Sequence, residues 1–238
     1  LLRNRPDDLH GHRLLAASEA GLGNYDAAYR AQARVVELQG LTGEIGLRMR
    51  RGGLDMDVAA YRAHLRDELL ALTDGAGNPL GTVNAARTLH QGLELAGRWQ
   101  AADSVSLAVS ALLNDFRFDG DPVYGNNRLA GVPRTVLRGE LGWQPVSWLS
   151  ITPTLDWAPG RSAVDHANTY HAPGYAVWGL RLGGPAGGSL RWFLDLRNLT
   201  DRAWVSSYSV VADARGLDGA YFLPGDGRSA YVGLEWRR

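Results

Sequence analysis

Ser104-Val105-Ser106-Leu107-Ala108-Val109-Ser110-Ala111-Leu112-Leu113 decides how this chain is to be read. Val105, Leu107, Val109, Ala111 and Leu113 share one parity, and Ser104, Ser106 and Ser110 share the other. A helix would scatter both sets around its surface, whereas a β-strand sends them to opposite faces.

The alternation repeats in both directions from this stretch. Upstream, Leu89, Leu93, Leu95 and Trp99 oppose His90, Glu94 and Arg98. Downstream, Leu137, Leu141 and Trp143 oppose Arg134, Arg138, Glu140 and Gln144, and Leu149, Ile151, Leu155 and Trp157 oppose Ser150, Thr152, Thr154 and Asp156. Trp178, Leu180 and Leu182 face away from Arg181, and Leu190, Trp192, Leu194 and Leu196 face away from Arg191, Asp195 and Arg197. Val232, Leu234 and Trp236 close the series against Tyr231 and Glu235.

Alternation by itself fits a soluble sheet as well as a membrane barrel, because lipid and a protein core both reward apolar side chains. The connections separate the two. They are very short at Gly52-Gly53, long at 73–83, short near 101, long at 117–131, short near 145, long at 159–173, short at 184–188 and long at 200–228. Outer-membrane barrels sort their connections this way, with tight periplasmic turns and long extracellular loops. Trp99, Trp143, Trp148 and Trp236 lie beside the short turns, where an interfacial aromatic girdle belongs.

Composition limits the other classes. Lys plus Arg and Asp plus Glu balance at 25 each, so no global field attracts nucleic acid. Cysteine is absent, which excludes disulfides, thiolate metal sites and cysteine nucleophiles. No apolar run approaches the roughly 20 residues of a helical span. The chain opens Leu1-Leu2-Arg3-Asn4-Arg5-Pro6 without Met or an export signal, and is read as lacking its natural start.

Residues 1–40 read differently from 43–238. Pro6-Asp7-Asp8 can start a helix carrying Leu14, Leu15, Ser18 and Leu22 on one side, Gly23-Asn24 can end it, and a second helix is expected from Tyr25 to Leu38. Leu15, Ala16, Gly23, Tyr25, Ala28 and Val35 make this hairpin resemble a single tetratricopeptide repeat, with wording similar to a periplasmic subunit of the cytochrome c biogenesis machinery.

Glu44-Ile45-Gly46-Leu47-Arg48, Tyr61 to Leu69, Thr88-Leu89-His90-Gln91-Gly92-Leu93-Glu94-Leu95, Asn198-Leu199-Thr200-Asp201 and Pro224-Gly225-Asp226-Gly227-Arg228-Ser229 follow one another along the larger part. In these phrases and their order it resembles the C-terminal barrel of TonB-dependent receptors. Two departures stand out. The family carries a plug domain, a TonB box and about 22 strands, against about ten expected here. It also usually ends on an aromatic residue read by the barrel-assembly machinery, whereas here Arg237 and Arg238 follow Trp236.

The expected fold is therefore mainly β: about ten antiparallel strands of a partial transmembrane barrel, forming an open, curved sheet after a short helical hairpin. Inward residues His90, Glu94, Arg134, Arg138, Glu140, Arg181, Arg191 and Asp195 would line the interior. The resemblance implies the cell outer membrane, outer-membrane lipid and the assembly machinery as partners, and uptake of an iron-siderophore-like metal chelate in an intact receptor. TonB would be reached only through the missing plug region, so this chain alone is not expected to transport. An interaction module built on the tetratricopeptide-like repeat and a small autonomous pore are the alternatives.

The ligand-binding candidates lie in the long loops: Tyr124, Arg128, Asp165, His166, Tyr170 and His171. A nitrogen and oxygen metal cluster at Asp165, His166, Tyr170 and His171 is the less favoured reading, since loops of this length collect polar residues in any case. Asp119, Asp121, Asp213, Asp218 and Asp226 lack the spacing of a Ca²⁺ loop. There is no Gly-x-Ser-x-Gly elbow, and Gly183-Gly184-Pro185-Ala186-Gly187-Gly188 has no helix after it to hold phosphate. Neither an enzyme activity nor a cofactor is expected.

Overall fold

The computed structural model describes residues 40–236. The expected helical hairpin and its tetratricopeptide-like repeat lie outside the described residues.

Nine strands form one antiparallel meander: β1 (Gly40–Arg51), β2 (Leu54–Thr73), β3 (Pro79–Ala102), β4 (Val105–Phe118), β5 (Thr135–Val146), β6 (Leu149–Ala158), β9 (Tyr175–Gly187), β10 (Leu190–Arg197) and β13 (Ser229–Trp236). The remaining strands are short ladders inside two loops. β7 (Ser162–Ala163) pairs with β8 (His171–Ala172), and β11 (Val205–Tyr208) pairs with β12 (Phe222–Pro224). The main sheet thus has nine members where about ten are expected, because these ladders pair only with each other. Among the described residues β1 and β13 are sheet edges, so the barrel is not closed.

Register confirms the two faces. Leu47 stands opposite Val58, Val58 opposite Leu95, Leu95 opposite Ala111, and Ala111 opposite Leu137, so one apolar row crosses five strands. Further along, Ile151, Leu182, Leu194 and Val232 form a second row. Nothing in the described structure covers this face: Leu47 is 62%, Leu93 47% and Leu234 69% exposed. A single sheet layer with so continuous an apolar surface is what a lipid-facing wall presents. Trp99, Trp143, Trp148 and Trp236 are exposed at the tight-turn end, and Trp157 and Trp178 add a second aromatic row toward the other.

The tight turns are two residues each, at Gly52-Gly53, Asp103-Ser104, Ser147-Trp148 and Gly188-Ser189. Gly52 and Gly53 both have positive φ, 56° and 79°, the combination of a type I′ turn, which glycine adopts without steric cost. One expected loop is mostly strand. The sequence pattern makes residues 73–83 a long connection, yet β2 runs to Thr73, β3 begins at Pro79, and Leu70 pairs with Val83. The turn needs only five residues because Asp74 organises it. Its carboxylate accepts the Ala76 amide at 2.9 Å, the Asn78 amide at 2.8 Å and the Asn78 side chain at 2.9 Å.

The buried residues form clusters in the loops and at the loop ends of β2 to β4, with no second layer packed behind the sheet among the described residues. Val164, Ala172, Val205, Val211, Ala214 and Tyr221 form one cluster, and Ala85, Phe118 and Leu129 form another.

Candidate ligand face

Alternate connections place 74–78, 119–134, 159–174 and 198–228 at one end of the sheet. Below them the inward parity of the strands forms a polar wall. Its charges are matched across the ladder: Arg48 to Asp57 at 2.6 Å, Arg138 to Asp156 at 2.8 Å and Arg50 to Asp55 at 2.9 Å. Arg181 reaches Glu140 at 3.1 Å and Asp195 at 3.9 Å, and Asp195 also holds Arg197 at 2.8 Å. Opposite charges facing each other across strands favour this register. Glu140, Arg138, Arg181 and Asp195 are thus where their parity puts them.

Higher on the wall, Tyr61 donates its hydroxyl to Asn114 Oδ1 at 2.9 Å, and the His90 ring stacks on Phe116 with centroids 4.2 Å apart. Gly92 makes room for Tyr61, since a Cβ there would strike the Tyr61 ring and the Leu113 carbonyl. Glu68 departs from simple alternation. Asp67 takes a left-handed conformation, φ 53°, and the next side chain turns inward to accept from Thr88 and meet His90 Nε2 at 3.1 Å.

The loops are sewn together around segment 162–170. The Asp165 carboxylate accepts the Tyr170 amide at 2.9 Å, the Thr169 hydroxyl at 2.7 Å, and the Thr169 and Ala214 amides at 3.1 Å each. Burial pushes this carboxyl up, but the hydrogen bonds from Tyr170, Thr169 and Ala214 outweigh it and hold it below the usual range. Asn168, at φ 57°, donates to the Arg128 carbonyl and accepts the Arg128 amide, tying two loops together. Thr73 at the end of β2 donates its amide to the Val210 carbonyl at 2.8 Å, which brings in the third long loop.

The six candidate residues all join this cluster, but in different roles. Asp165 and His166 are buried, at 0% and 2% exposure, and serve the packing of the loops themselves. The His166 ring lies against Phe118 and Tyr124, with centroids 5.2 and 5.6 Å away. Its Nδ1 accepts the Ala130 amide, while Nε2 is buried without a partner. Burial lowers the His166 pKa to about 4.

Tyr124 is half-buried. Arg128 is half-buried too and pairs with Asp115 at 3.1 Å. Tyr170 packs edge-on against Tyr221, and a hydrogen bond to Asp218 raises its hydroxyl pKa. His171 is half-buried in the β7–β8 ladder opposite Ala163. The metal reading gains no geometry: among the described residues no group of three His, Asp or Glu side chains is placed to hold an ion.

Residue typing missed Thr169 and Asn168, which do as much as the candidates to hold the loops. The signal for both is local: an Asp followed four residues later by Thr, with an Asn able to adopt the left-handed region in between.

Two of the sequence phrases meet at the base of the last loop. Asn198, 2% exposed, donates to the carbonyls of Arg202 and Asp226 at 2.9 and 3.0 Å and accepts the Arg202 amide at 2.8 Å. Asp201 takes the Arg228 amide at 3.2 Å and its guanidinium at 3.4 Å. Gly225 lies directly under the Trp204 ring, where no side chain fits. Asn198-Leu199-Thr200-Asp201 and Pro224 to Ser229 are therefore the two halves of one clamp that returns a 31-residue loop to the sheet.

A nine-stranded antiparallel wall with a polar inner face, an apolar outer face and all long loops gathered at one end defines an outer-membrane-type barrel wall. Residues 38–199 match the family model TonB dependent receptor-like, beta-barrel, and the chain belongs to that family. Among solved structures, the siderophore receptor PiuA from Acinetobacter baumannii superimposes with a TM-score of 0.65 at 16% identity, over 82% of this chain and 28% of that one. The ferric yersiniabactin uptake receptor FyuA from Yersinia pestis gives 0.63 at 20% identity, over 81% and 28%. The copper transporter OprC gives 0.63 at 15% identity, over 82% and 30%. At these identities the likeness is one of fold, and the chain spans less than a third of each of these proteins. No curated protein sequence matches it.

Proposed function

We propose that this chain is the C-terminal part of the barrel of a cell-outer-membrane receptor for iron-siderophore-like metal chelates. The observation that carries the reading is the joining of three long loops and the β2–β3 hairpin into one ordered cluster above a polar wall, while the opposite face remains apolar. Such a cluster presents a fixed surface to an external ligand, and fixed loops lose less entropy on binding than mobile ones. Structures of similar fold include proteins described as a siderophore receptor and a copper transporter.

Within this reading, ligand contact from this chain falls to the partly exposed members of the cluster, Tyr124, Arg128, Tyr170 and His171. Asp165 and His166 act behind them by holding the loops in place. The division of the chain into a helical part at 1–40 and a barrel part at 43–238 belongs to the same proposal. So does TonB coupling through a plug: the wall and loops described here supply neither the gate nor the coupling segment, and these residues alone would bind without transporting. Outer-membrane lipid and the barrel-assembly machinery are its other partners.

The test is to refold the full 238-residue chain into outer-membrane lipid vesicles and follow tryptophan fluorescence while titrating a ferric catecholate, a ferric hydroxamate and Cu²⁺. Saturable quenching by one probe that weakens in Arg128→Gln supports the reading. Insertion with no saturable response to any probe removes the ligand assignment.

A further inference from the structure

On the inner face Arg48, Arg50, Arg138, Arg181 and Arg197 each reach a carboxylate, while Arg98 and Arg134 form no ion pair among the described residues. Outside, on β2 to β4, the apolar belt ends at Ala60, Leu93 and Leu113, which stand side by side in register. Just beyond it, toward the loops, the same outward parity carries Arg62, His64 and Arg66 on β2, Gln91, the buried Leu89 and Arg87 on β3, and Asp115 and Arg117 on β4, with Arg128 bridged to Arg117 from the following loop.

These charges are poorly compensated within the chain. Arg66 stands directly opposite Arg87, an arrangement that destabilises a sheet unless an anion intervenes. Among the described residues Arg62, Arg66 and Arg87 form no ion pair, and the Arg62 side chain donates instead to His64 Nε2 at 3.2 Å. Arg117 and Arg128 share one carboxylate, Asp115, at 3.9 and 3.1 Å. The other carboxylates near the patch are Asp67, which accepts from Asn84 at 3.3 Å, and Asp119. Arg62, Arg66, Arg87 and Arg117 thus face three carboxylates, one of which, Asp115, is shared with the loop residue Arg128.

The backbone accentuates the imbalance. Strict alternation after Arg62, His64 and Arg66 would put Glu68 on this outer face, but the left-handed turn at Asp67 sends it inward to Thr88 and His90. Elsewhere around the sheet the outward positions above the belt are Thr135 on β5, Ala176 on β9 and Ala230 on β13. The positive charge is confined to one sector.

We propose that the outer face of β2 to β4, at Arg62, Arg66, Arg87 and Arg117, binds the phosphate groups of an outer-leaflet lipid whose acyl chains lie on Leu93 and Leu113. This rests on the outer-membrane reading above. The position selects the ligand: the side chains sit one step above an apolar belt, at headgroup height, where guanidinium groups meet phosphate with paired hydrogen bonds in a region of reduced dielectric. Arginine stems can also lie along the belt while their heads reach the interface.

The full chain is inserted into phosphatidylcholine vesicles containing bisphosphorylated lipid A, or the same lipid with its phosphates removed. Insertion is read by protease protection, and retained lipid is counted by native mass spectrometry after detergent extraction. Wild type and Arg51→Gln, a control at the tight-turn end, should retain the phosphorylated lipid in a salt-sensitive manner. The triple variant R62Q/R66Q/R87Q should retain at least about ten-fold less. Arg66→Gln alone relieves the Arg66–Arg87 repulsion, so it should insert as well as wild type in plain phosphatidylcholine yet retain several-fold less lipid A. Equal retention by both inserted variants, equal retention of the dephosphorylated lipid, or displacement by millimolar inorganic phosphate overturns the proposal. Failure of the wild-type chain to insert into any vesicle overturns the outer-membrane reading itself, and this proposal with it.

Discussion

His166 accepts the backbone amide of Ala130 through Nδ1, at 3.3 Å, from within a pocket closed by Phe118 and Tyr124. The contact needs a bare Nδ1, so a second proton on the ring would face a donor and break the link between two loops.

A pH dependence of the loop cluster follows. Burial brings the His166 pKa down to about 4 against the pull of Asp165, Glu68 and Asp121. The unfolded ring titrates near 6.5, so above that pH neither state is protonated and stability is unaffected. As pH falls from about 6.5 to about 4 the unfolded state gains a proton that the folded state refuses, and up to about 3 kcal/mol is lost. Hydrogen exchange of amides in 119–134 and 162–172 should accelerate over this window. In His166→Phe the acceleration should shrink, and a window unchanged in that variant would assign the effect elsewhere.

Asp165→Ala removes an acceptor that serves four donors from two loops. Each orphaned donor carries a desolvation penalty, and we expect a local loss of about 3 kcal/mol, confined to the loops. Exchange protection should fall at 162–172 and 209–216 and persist in β5 and β6. Loss of protection throughout the sheet would mean that the loops and wall unfold as one unit.

Gly92→Ala places a methyl group where the Tyr61 ring and the Leu113 carbonyl already are. Tyr61 must leave Asn114, and we expect a cost of about 2 kcal/mol with a lower melting temperature in detergent. The double variant with Tyr61→Ala should recover only the part owed to the ring, because the Leu113 carbonyl still crowds the added methyl group. No recovery would place the whole cost in the contact with the Leu113 carbonyl of β4.

Leu95→Arg and Ser110→Arg compare the two faces at similar height. Leu95 belongs to the apolar row across β1 to β5, and Ser110 stands on the inner side between Ala96 and Arg138. In lipid vesicles the first should cost about 2–4 kcal/mol of folding stability and the second much less. Equal costs would argue against a lipid-facing outer surface.

Legibility in the sequence tracks periodicity. The parity of Leu107 and Ser106, of Leu141 and Glu140, and of Leu194 and Asp195 is preserved in the structure because pleat period and side-chain pattern are the same repeat. Two-residue turns such as Gly52-Gly53 were equally legible. The hairpin at 73–83 was not, because its outer strands carry Gly81 and Asn84, which read as loop, while one aspartate side chain closes the turn. The inward turn of Glu68 is not legible either, because a single left-handed residue, Asp67, reverses the parity after it. Asp165 and His166 could be assigned to a loop but not to its interior: nothing aperiodic in a sequence says which polar side chain the loops will fold around.

The meander has a directional consequence. In an antiparallel series of nine, the first and last strands point the same way, so β1 and β13 are co-directional edges. Seaming them together, or joining copies of the sheet in a ring with a common orientation, would put parallel neighbours at the join. An all-antiparallel cylinder is reached only when an odd number of additional strands is inserted between them, whether from this polypeptide or another.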